Sequence, residues 1–128
     1  MSNRKSRTIV ITWSGADLTA SNDQAADNDP EIYLAGAENI TVQLVTPSVA
    51  AGVATFDLHT IASNHPSAGY TTAHFQDGII AAQAENTVAS PLALTKGPQT
   101  LKLRLDVNTA APTTGEDVIA YVWIDYWS

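Results

Sequence analysis

The stretch V-I-A-Y-V-W-I-D-Y-W, Val118 to Trp127, decides the fold of this chain. It contains neither glycine nor proline and is rich in β-branched and aromatic residues, which favours a β-strand. Alternate residues of a strand point to opposite faces, and here both faces are apolar except at Asp125. We therefore expect both faces of this strand to be buried, one by the protein's own core and the other by a partner chain.

One face of this strand carries most of its aromatic side chains, and three interpretations are open for it. They could belong to the core, to an interface between subunits, where Trp and Tyr are enriched, or to a platform on which sugar rings stack. Asp125 is expected to bond to a neighbouring strand, arm or subunit. The candidate interface or ligand platform consists of Tyr121, Trp123, Asp125 and Trp127.

Other strands follow from the alternation of apolar and polar residues. The clearest is Q-T-L-K-L-R-L-D-V at residues 99–107, with leucines on one face and charged residues on the other. Strands are also predicted at residues 8–13, 39–46 and 53–61, and shorter ones at 31–34, 70–75 and 92–95.

The segments between these strands predict the connections and the architecture. Residues 16–31 have the polar composition of a loop, and residues 77–88 are expected to be irregular with one helical turn at most. The short connection between 39–46 and 53–61 favours a hairpin or close neighbours, and a hairpin of 99–107 and 118–127 is also expected, although its loop of about ten residues is long. About seven to eight strands of this spacing predict an all-β domain, an antiparallel β-sandwich or a jelly-roll-like small barrel.

Length and composition agree with one domain. The chain has 128 residues, of which 45% are hydrophobic and 15% charged, the latter well below the usual ~25%. The absence of cysteine excludes a disulfide framework and a thiolate metal site.

The net charge of −7 is unevenly distributed. Arg4, Lys5 and Arg7 make residues 1–7 a basic arm, and the domain at residues 8–128 carries three basic against thirteen acidic residues. Such a domain repels nucleic acid, so nucleic-acid binding is not expected. The basic arm is expected to be a solvated tail, although its three basic residues could make arm contacts with nucleic acid or an acidic neighbour. The apolar run at residues 9–11 is too short for a signal peptide or a membrane helix, so no membrane association is expected.

No catalytic or metal motif stands out. His59, His65 and His74 do not have the i, i+2 or i, i+4 spacing that usually places two imidazoles on one metal, although loops could still bring them together. The run D-N-D-P-E at residues 27–31 leaves calcium open through Asp27, Asp29 and Glu31, but lacks the glycine and distant glutamate of a calcium loop. There is no G-x-S-x-G elbow. We therefore predict a non-enzymatic protein without metal or cofactor.

Three features together resemble a known class of protein. They are the arm M-S-N-R-K-S-R, the strands N-I-T-V-Q-L-V and T-L-K-L-R-L-D-V, and the closing Y-V-W-I-D-Y-W, in a small, acidic, cysteine-free chain. This combination resembles the accessory virion proteins of tailed bacteriophages. The resemblance implies a decoration or cement protein of the virion, a homo-oligomer (dimer or trimer) bound to the major capsid protein or another virion protein. The alternative is a glycan-binding β-sandwich module of a phage tail or fibre.

Overall fold

The computed structural model describes residues 4–15, 18, 21–48, 54–108 and 116–127. Their regular structure consists of strands and one short 3-10 turn, Pro66–Ala68. The strands are β1 (Arg4–Trp13), β2 (Ser21–Ala25), β3 (Ile32–Tyr33), β4 (Ala37–Thr46), β5 (Thr55–Ser63), β6 (Gln76–Ala84), β7 (Thr87–Val88), β8 (Leu92–Ala93), β9 (Thr100–Val107) and β10 (Val118–Trp127). The all-β prediction is confirmed.

The strands form two antiparallel sheets that pack against each other as a β-sandwich. Sheet 1 has the order β1-β10-β4-β7, with β8 also paired to β4. Sheet 2 has the order β2-β9-β5-β6, with β3 also paired to β9. The apolar C-terminal stretch, β10, is thus an inner strand of sheet 1, and β1 pairs with it over its full length, from Arg4 opposite Trp127 to Trp13 opposite Val118.

The core lies between the sheets and is built from the inward face of each strand. In β10 the inward residues Val118, Ala120, Val122 and Ile124 are completely buried. In sheet 2 the inward face is formed by the leucines of β9, and Leu101, Leu103 and Leu105 are buried. Lys102 and Arg104 lie between them on the outer face and are only half-buried. Apolar burial of this kind is the main favourable contribution to folding.

Polar contacts also join the sheets at the margins of this core. Trp13 of sheet 1 is fully buried, and its indole Nε1 donates a hydrogen bond of 2.9 Å to the carbonyl oxygen of Gln24 in sheet 2. Gln83 of sheet 2 donates through Nε2 to the carbonyl oxygen of Leu44 in sheet 1, also at 2.9 Å. Because both contacts satisfy polar atoms away from water, they favour one relative placement of the sheets.

Both predicted hairpins are wrong. β4 lies in sheet 1 and β5 in sheet 2, and β9 and β10 are likewise in different sheets. Each of these connections crosses from one sheet to the other. Alternation along a strand reports which residues face the core, but both sheets share that core, so the pattern does not distinguish between them.

Two strands and one bend also differ from expectation. Within the predicted polar loop, β2 is an edge strand that pairs with β9 around a bulge between Ser21 and Gln24. The alanine-rich β6 pairs with β5 instead of forming a helical turn, since tertiary pairing outweighs local propensity. Residues 70–75, predicted as a strand, run as bends whose amides at Thr71 and Phe75 donate to β5.

From residue 4 onward the chain is more ordered than a free arm would be, and residues 1–3 of the predicted arm lie outside the described residues. From Arg4 onward the predicted arm belongs to β1, which forms an edge of sheet 1. Asn28 covers part of that edge, because its Oδ1 accepts a hydrogen bond from Thr12 N at 3.1 Å and its Nδ2 donates to the carbonyl oxygen of Val10 at 2.9 Å.

Candidate functional site

The outer surface of sheet 1 carries a regular grid of uncharged side chains. Three strands contribute three outward residues each, and the register aligns them in rows across β1, β10 and β4. We call this set the outer grid; its rows are Thr8, Trp123 and Thr41, then Val10, Tyr121 and Gln43, then Thr12, Ile119 and Val45. None of the nine is buried, and none is charged.

The aromatic residues predicted as an interface or ligand platform lie partly on this grid. Tyr121 is 38% exposed and Trp123 is 41% exposed, so neither belongs to the core of the chain. Asp125 forms the next row with Ser6 and Asn39, is buried, and accepts a hydrogen bond from Asn39 Nδ2 at 3.5 Å. Trp127 pairs with Arg4 at the end of the register, and the side chains of these two residues lie outside the described part of the structure.

The basic residues of β1 do not interrupt the grid. Lys5 and Arg7 are exposed and alternate along the strand with Ser6 and Thr8, so they belong to the opposite face of β1. Arg7 is paired with Ile124, beyond the end of the outer grid. Positive charge therefore lies beside the grid rather than within it.

The outer surface of sheet 2, in contrast to that of sheet 1, carries charged side chains. Asp29 Oδ1 forms an ion pair of 2.7 Å with Arg104 Nη1, and Asp29 Oδ2 lies 3.3 Å from Lys102 Nζ. Asp57 and Asp106 are directly opposite each other on β5 and β9. One sheet of the sandwich thus presents charges to solvent and the other a neutral, partly aromatic surface.

The acidic run considered for calcium does not gather its carboxylates at one point. Asp27 Oδ1 accepts a hydrogen bond from Ser14 N at 3.3 Å, Asp29 pairs with Arg104, and Glu31 Oε2 accepts one from Tyr33 Oη at 2.7 Å. Each carboxylate is occupied by a different partner in a different part of the fold. This geometry gives the calcium interpretation no support.

Histidines and aspartates from four parts of sheet 2 form a cluster that the sequence patterns did not indicate. The rings of His59 and His74 are stacked, with centroids 4.0 Å apart and planes inclined by 5°. His59 Nε2 lies 2.9 Å from Asp106 Oδ2, and His74 Nε2 forms a very short contact with Asp23 Oδ1. Asp77 Oδ1 contacts both rings from the other end, 2.7 Å from His59 Nδ1 and 3.0 Å from His74 Nδ1.

Backbone irregularities bring these residues together. Asp23 has a φ of 57° and lies in the bulged part of β2, and bulges re-aim side chains away from the regular alternation. Its amide donates a hydrogen bond of 2.6 Å to Asp106 Oδ1. His74 lies in the bend before β6, and the amide of Gly78 donates to His59 Nδ1 at 2.8 Å. The cluster therefore spans β2, β9, β5 and the start of β6.

The carboxylates around His74 change its proton affinity. The hydrogen bond with Asp23 raises the pKa of His74 above its ordinary value of 6.5, with a further contribution from Asp77 and an opposing one from burial. His59 stacks on the same ring, and Asp106 lies beyond it. The folded protein thus favours the protonated form of His74 more than the unfolded chain does.

This shift predicts a pH dependence of stability in buffer that contains a chelator. A group whose pKa is raised by folding stabilises the protein below its unfolded pKa, about 6.5, and that contribution disappears as the pH rises through the folded pKa. Urea unfolding of the wild type and of Asp23→Asn should therefore differ most near pH 6 and converge at alkaline pH. A difference that grows with rising pH would contradict this assignment.

A surface cavity of about 620 Å³ lies at the end of β5, next to the bends that follow it. Its lining is uncharged and includes the aromatic side chains of Tyr70 and Phe75, with Asn64 and Thr71 as polar groups. Tyr70 Oη donates a hydrogen bond to Thr100 Oγ1 at 2.9 Å, which holds its ring in place. The cavity is suited to a small neutral molecule.

Comparison with known proteins found no match to this chain among protein-family models, curated proteins or solved structures. Within the described residues there is no helix with the length and apolar character needed to cross a membrane.

Proposed function

We propose that this chain is a non-enzymatic structural protein that self-associates through the outer grid of sheet 1 and decorates a viral capsid lattice. The observation that supports self-association is the grid itself: nine outward side chains without a charge, centred on half-exposed Tyr121 and Trp123. Residues of this type are enriched at the cores of interfaces, where charged residues are depleted.

A second copy of the same chain is the occupant that the charge distribution favours. The chain carries a net charge of −7, so two copies repel each other across most of their surfaces. The outer grid is a neutral area on which that repulsion is weakest, and it removes aromatic surface from water when covered. A two-fold related pair would place each Trp123 within the shared interface.

The area of the outer grid is consistent with a weak association between two copies, which becomes stronger when many copies are bound to one capsid lattice. Three strands about 4.8 Å apart, each contributing a span of about five residues, cover roughly 240 Å² of flat area. This is below the ~800 Å² per partner of a standard stable interface, so we expect a weak pair in dilute solution. When many copies are held on one particle, such weak contacts act together and the effective concentration rises.

Trp123→Ala tests the proposal most directly. Truncation of a central interface tryptophan is expected to weaken self-association by about 2–4 kcal/mol, or about 30- to 1000-fold in Kd. Analytical ultracentrifugation over a concentration series measures this change. Phe75→Ala is the matched control, because Phe75 is also 41% exposed but lies outside the grid.

The association measurements decide whether the outer grid is the interface between copies. Unchanged association in Trp123→Ala, or equal loss in Phe75→Ala, would reject the outer grid as the interface. A wild-type protein that stays monomeric at all concentrations and does not sediment with intact virions would contradict the capsid role as well.

A glycan-binding module of a phage tail or fibre is the second candidate, and the exposure of Tyr121 and Trp123 favours it. The two residues are neighbours on one face of β10, about 7 Å apart along the strand, which suits stacking against successive sugar rings. Glycan-array binding that is lost in Trp123→Ala, with Trp123 accessible to a fluorescence quencher in the assembled state, would support this alternative over self-association.

A further inference from the structure

We propose that His59, His74 and Asp23, with Asp106 as a fourth donor, form a binding site for a divalent late transition-metal ion such as Zn²⁺. The site lies on the outer surface of sheet 2, on the other side of the sandwich from the outer grid. It is therefore independent of the proposed self-association.

The donor atoms are already close to a binding arrangement. One donor atom from each of Asp23, His59 and His74 lies within 4.8 Å of the other two. Zinc bonds of about 2.0–2.1 Å in a tetrahedron place ligand atoms roughly 3.3 Å apart, so side-chain adjustments of an ångström or so would complete the site. Asp106 Oδ2, 2.9 Å from His59 Nε2, lies at the distance of a further ligand.

The two imidazoles are stacked in the same sense, so that both Nε2 atoms lie at one end of the pair, and a tilt of the rings would direct them at one ion. Both Nε2 atoms face carboxylates, Asp106 for His59 and Asp23 for His74, while both Nδ1 atoms face Asp77 Oδ1. An ion bound at the Nε2 end would replace the hydrogen bonds to Asp23 and Asp106 by coordination of the same groups.

Asp77 is placed to orient the two histidine rings without binding the ion itself. Metal-bound histidines commonly donate the remaining ring N–H to a carboxylate, which holds the ring in place and raises its basicity. Asp77 Oδ1 is within 3.0 Å of both Nδ1 atoms and is placed to accept from both. Without metal, His59 Nδ1 accepts a hydrogen bond from Gly78 N, so the ring proton is on Nε2. Metal binding at Nε2 moves that proton to Nδ1, which can then donate to Asp77. The amide of Gly78, an exposed residue, then turns to solvent.

Donor chemistry selects the class of ion. Imidazole nitrogen suits zinc and its late first-row neighbours, whereas Ca²⁺ and Mg²⁺ prefer sites made of oxygen ligands alone. The cluster also concentrates negative charge, because Asp57 lies directly opposite Asp106 on the paired strand, and a divalent cation offsets that repulsion. Since the ligands come from β2, β5, β9 and the bend before β6, the ion would connect three strands of sheet 2 with the segment that leads into the fourth.

The test uses the tag-free, full-length protein after removal of metal, titrated with ZnCl₂ in a calorimeter. We expect one ion per chain and a rise in Tm on addition of Zn²⁺. His74→Gln and Asp23→Asn should each weaken binding by more than about a hundredfold, since even outer partners of metal ligands are worth about 10- to 100-fold. His65→Gln is the matched control, because His65 is exposed and outside the cluster, and it should bind zinc as the wild type does.

Two further readouts make the outcome decisive. Asp77→Asn should weaken zinc binding about tenfold or more while the circular dichroism spectrum stays unchanged, and Co²⁺ should show the visible absorption of a low-symmetry site with nitrogen and oxygen ligands. No zinc binding by the wild type, equal binding by the wild type and His74→Gln, or a loss in His65→Gln equal to that in His74→Gln would overturn the proposal. Displacement of zinc by millimolar Ca²⁺ would also overturn it.

Discussion

Trp13→Ala is expected to lower the free energy of unfolding by about 3–5 kcal/mol, as large-to-small changes at buried aromatic positions do. Trp13 is fully buried at the end of β1, between the two sheets, so its removal leaves a cavity that the surrounding strands fill only in part. The change also removes the hydrogen bond from the indole Nε1 to the carbonyl oxygen of Gln24. Urea unfolding followed by circular dichroism measures the effect.

Trp123, whose side chain is exposed, supplies the control. Trp123→Ala, measured at a concentration where the protein is monomeric, should change stability by less than about 1 kcal/mol because that side chain is half-exposed on the outer grid. Trp13→Phe keeps most of the buried area and should cost about 1–2 kcal/mol, largely from the lost hydrogen bond. Equal losses in Trp13→Ala and Trp123→Ala would contradict the placement of Trp13 in the core and of Trp123 on the surface.

Thr8→Glu is expected to raise the Kd for self-association at least about a hundredfold, or roughly 3 kcal/mol. Thr8 is exposed and directly opposite Trp123 in the register, so an interface formed by the outer grid would bury the new carboxylate. Removing an ion from water without a partner costs several kcal/mol, and in a symmetric pair both copies bear that cost. Sedimentation equilibrium measures the change in Kd.

Thr95→Glu is the matched control for this charge. Thr95 is exposed and follows β8, outside the outer grid, so the same substitution adds the same charge to the chain without burying it. Its association should differ from the wild type by less than about threefold, as expected for a solvated charge. If Thr8→Glu associates as tightly as Thr95→Glu, the interface between copies lies elsewhere.

The strands that the sequence predicts well are those with strict alternation. In β9 the leucines are buried and the charged residues between them are not, as expected from T-L-K-L-R-L-D-V. The inward face of β10 is completely buried in the same way. Alternation is a property of the strand itself, because successive side chains point to opposite faces whatever the strand pairs with.

The strands that were missed owe their structure to their neighbours. The polar S-N-D-Q-A of β2 has no apolar alternation, and it is a strand because its backbone pairs with β9. The residues of β6 favour a helix by composition, yet this segment is a strand because it pairs with β5, from Ala84 opposite Thr55 to Gln76 opposite Thr60. Backbone hydrogen bonds are available to every residue type, so this pairing leaves little trace in composition.

The two candidate sites also differ in whether a local sequence pattern indicates them. The apolar character of both faces of β10 marked Tyr121 and Trp123 as candidates, but only the burial of each face separates core from surface. The cluster of His59, His74 and Asp23 had no local signal. Asp23 and His74 are 51 residues apart, and the bulge in β2 and the bend before β6 that bring them together depend on the assembled sheet.

By itself the sequence determined the all-β class, the inward face of the strands with strict alternation, and the concentration of apolar residues on both faces of the C-terminal strand. These properties follow from alternation and from the balance of apolar and charged residues, which act within each strand. Only the tertiary structure decided which strands share a sheet, that one outer surface is neutral while the other is charged, and that two histidines stack between aspartates. Those properties arise from contacts between residues far apart in the chain, and such contacts exist only once the two sheets have closed on their common core.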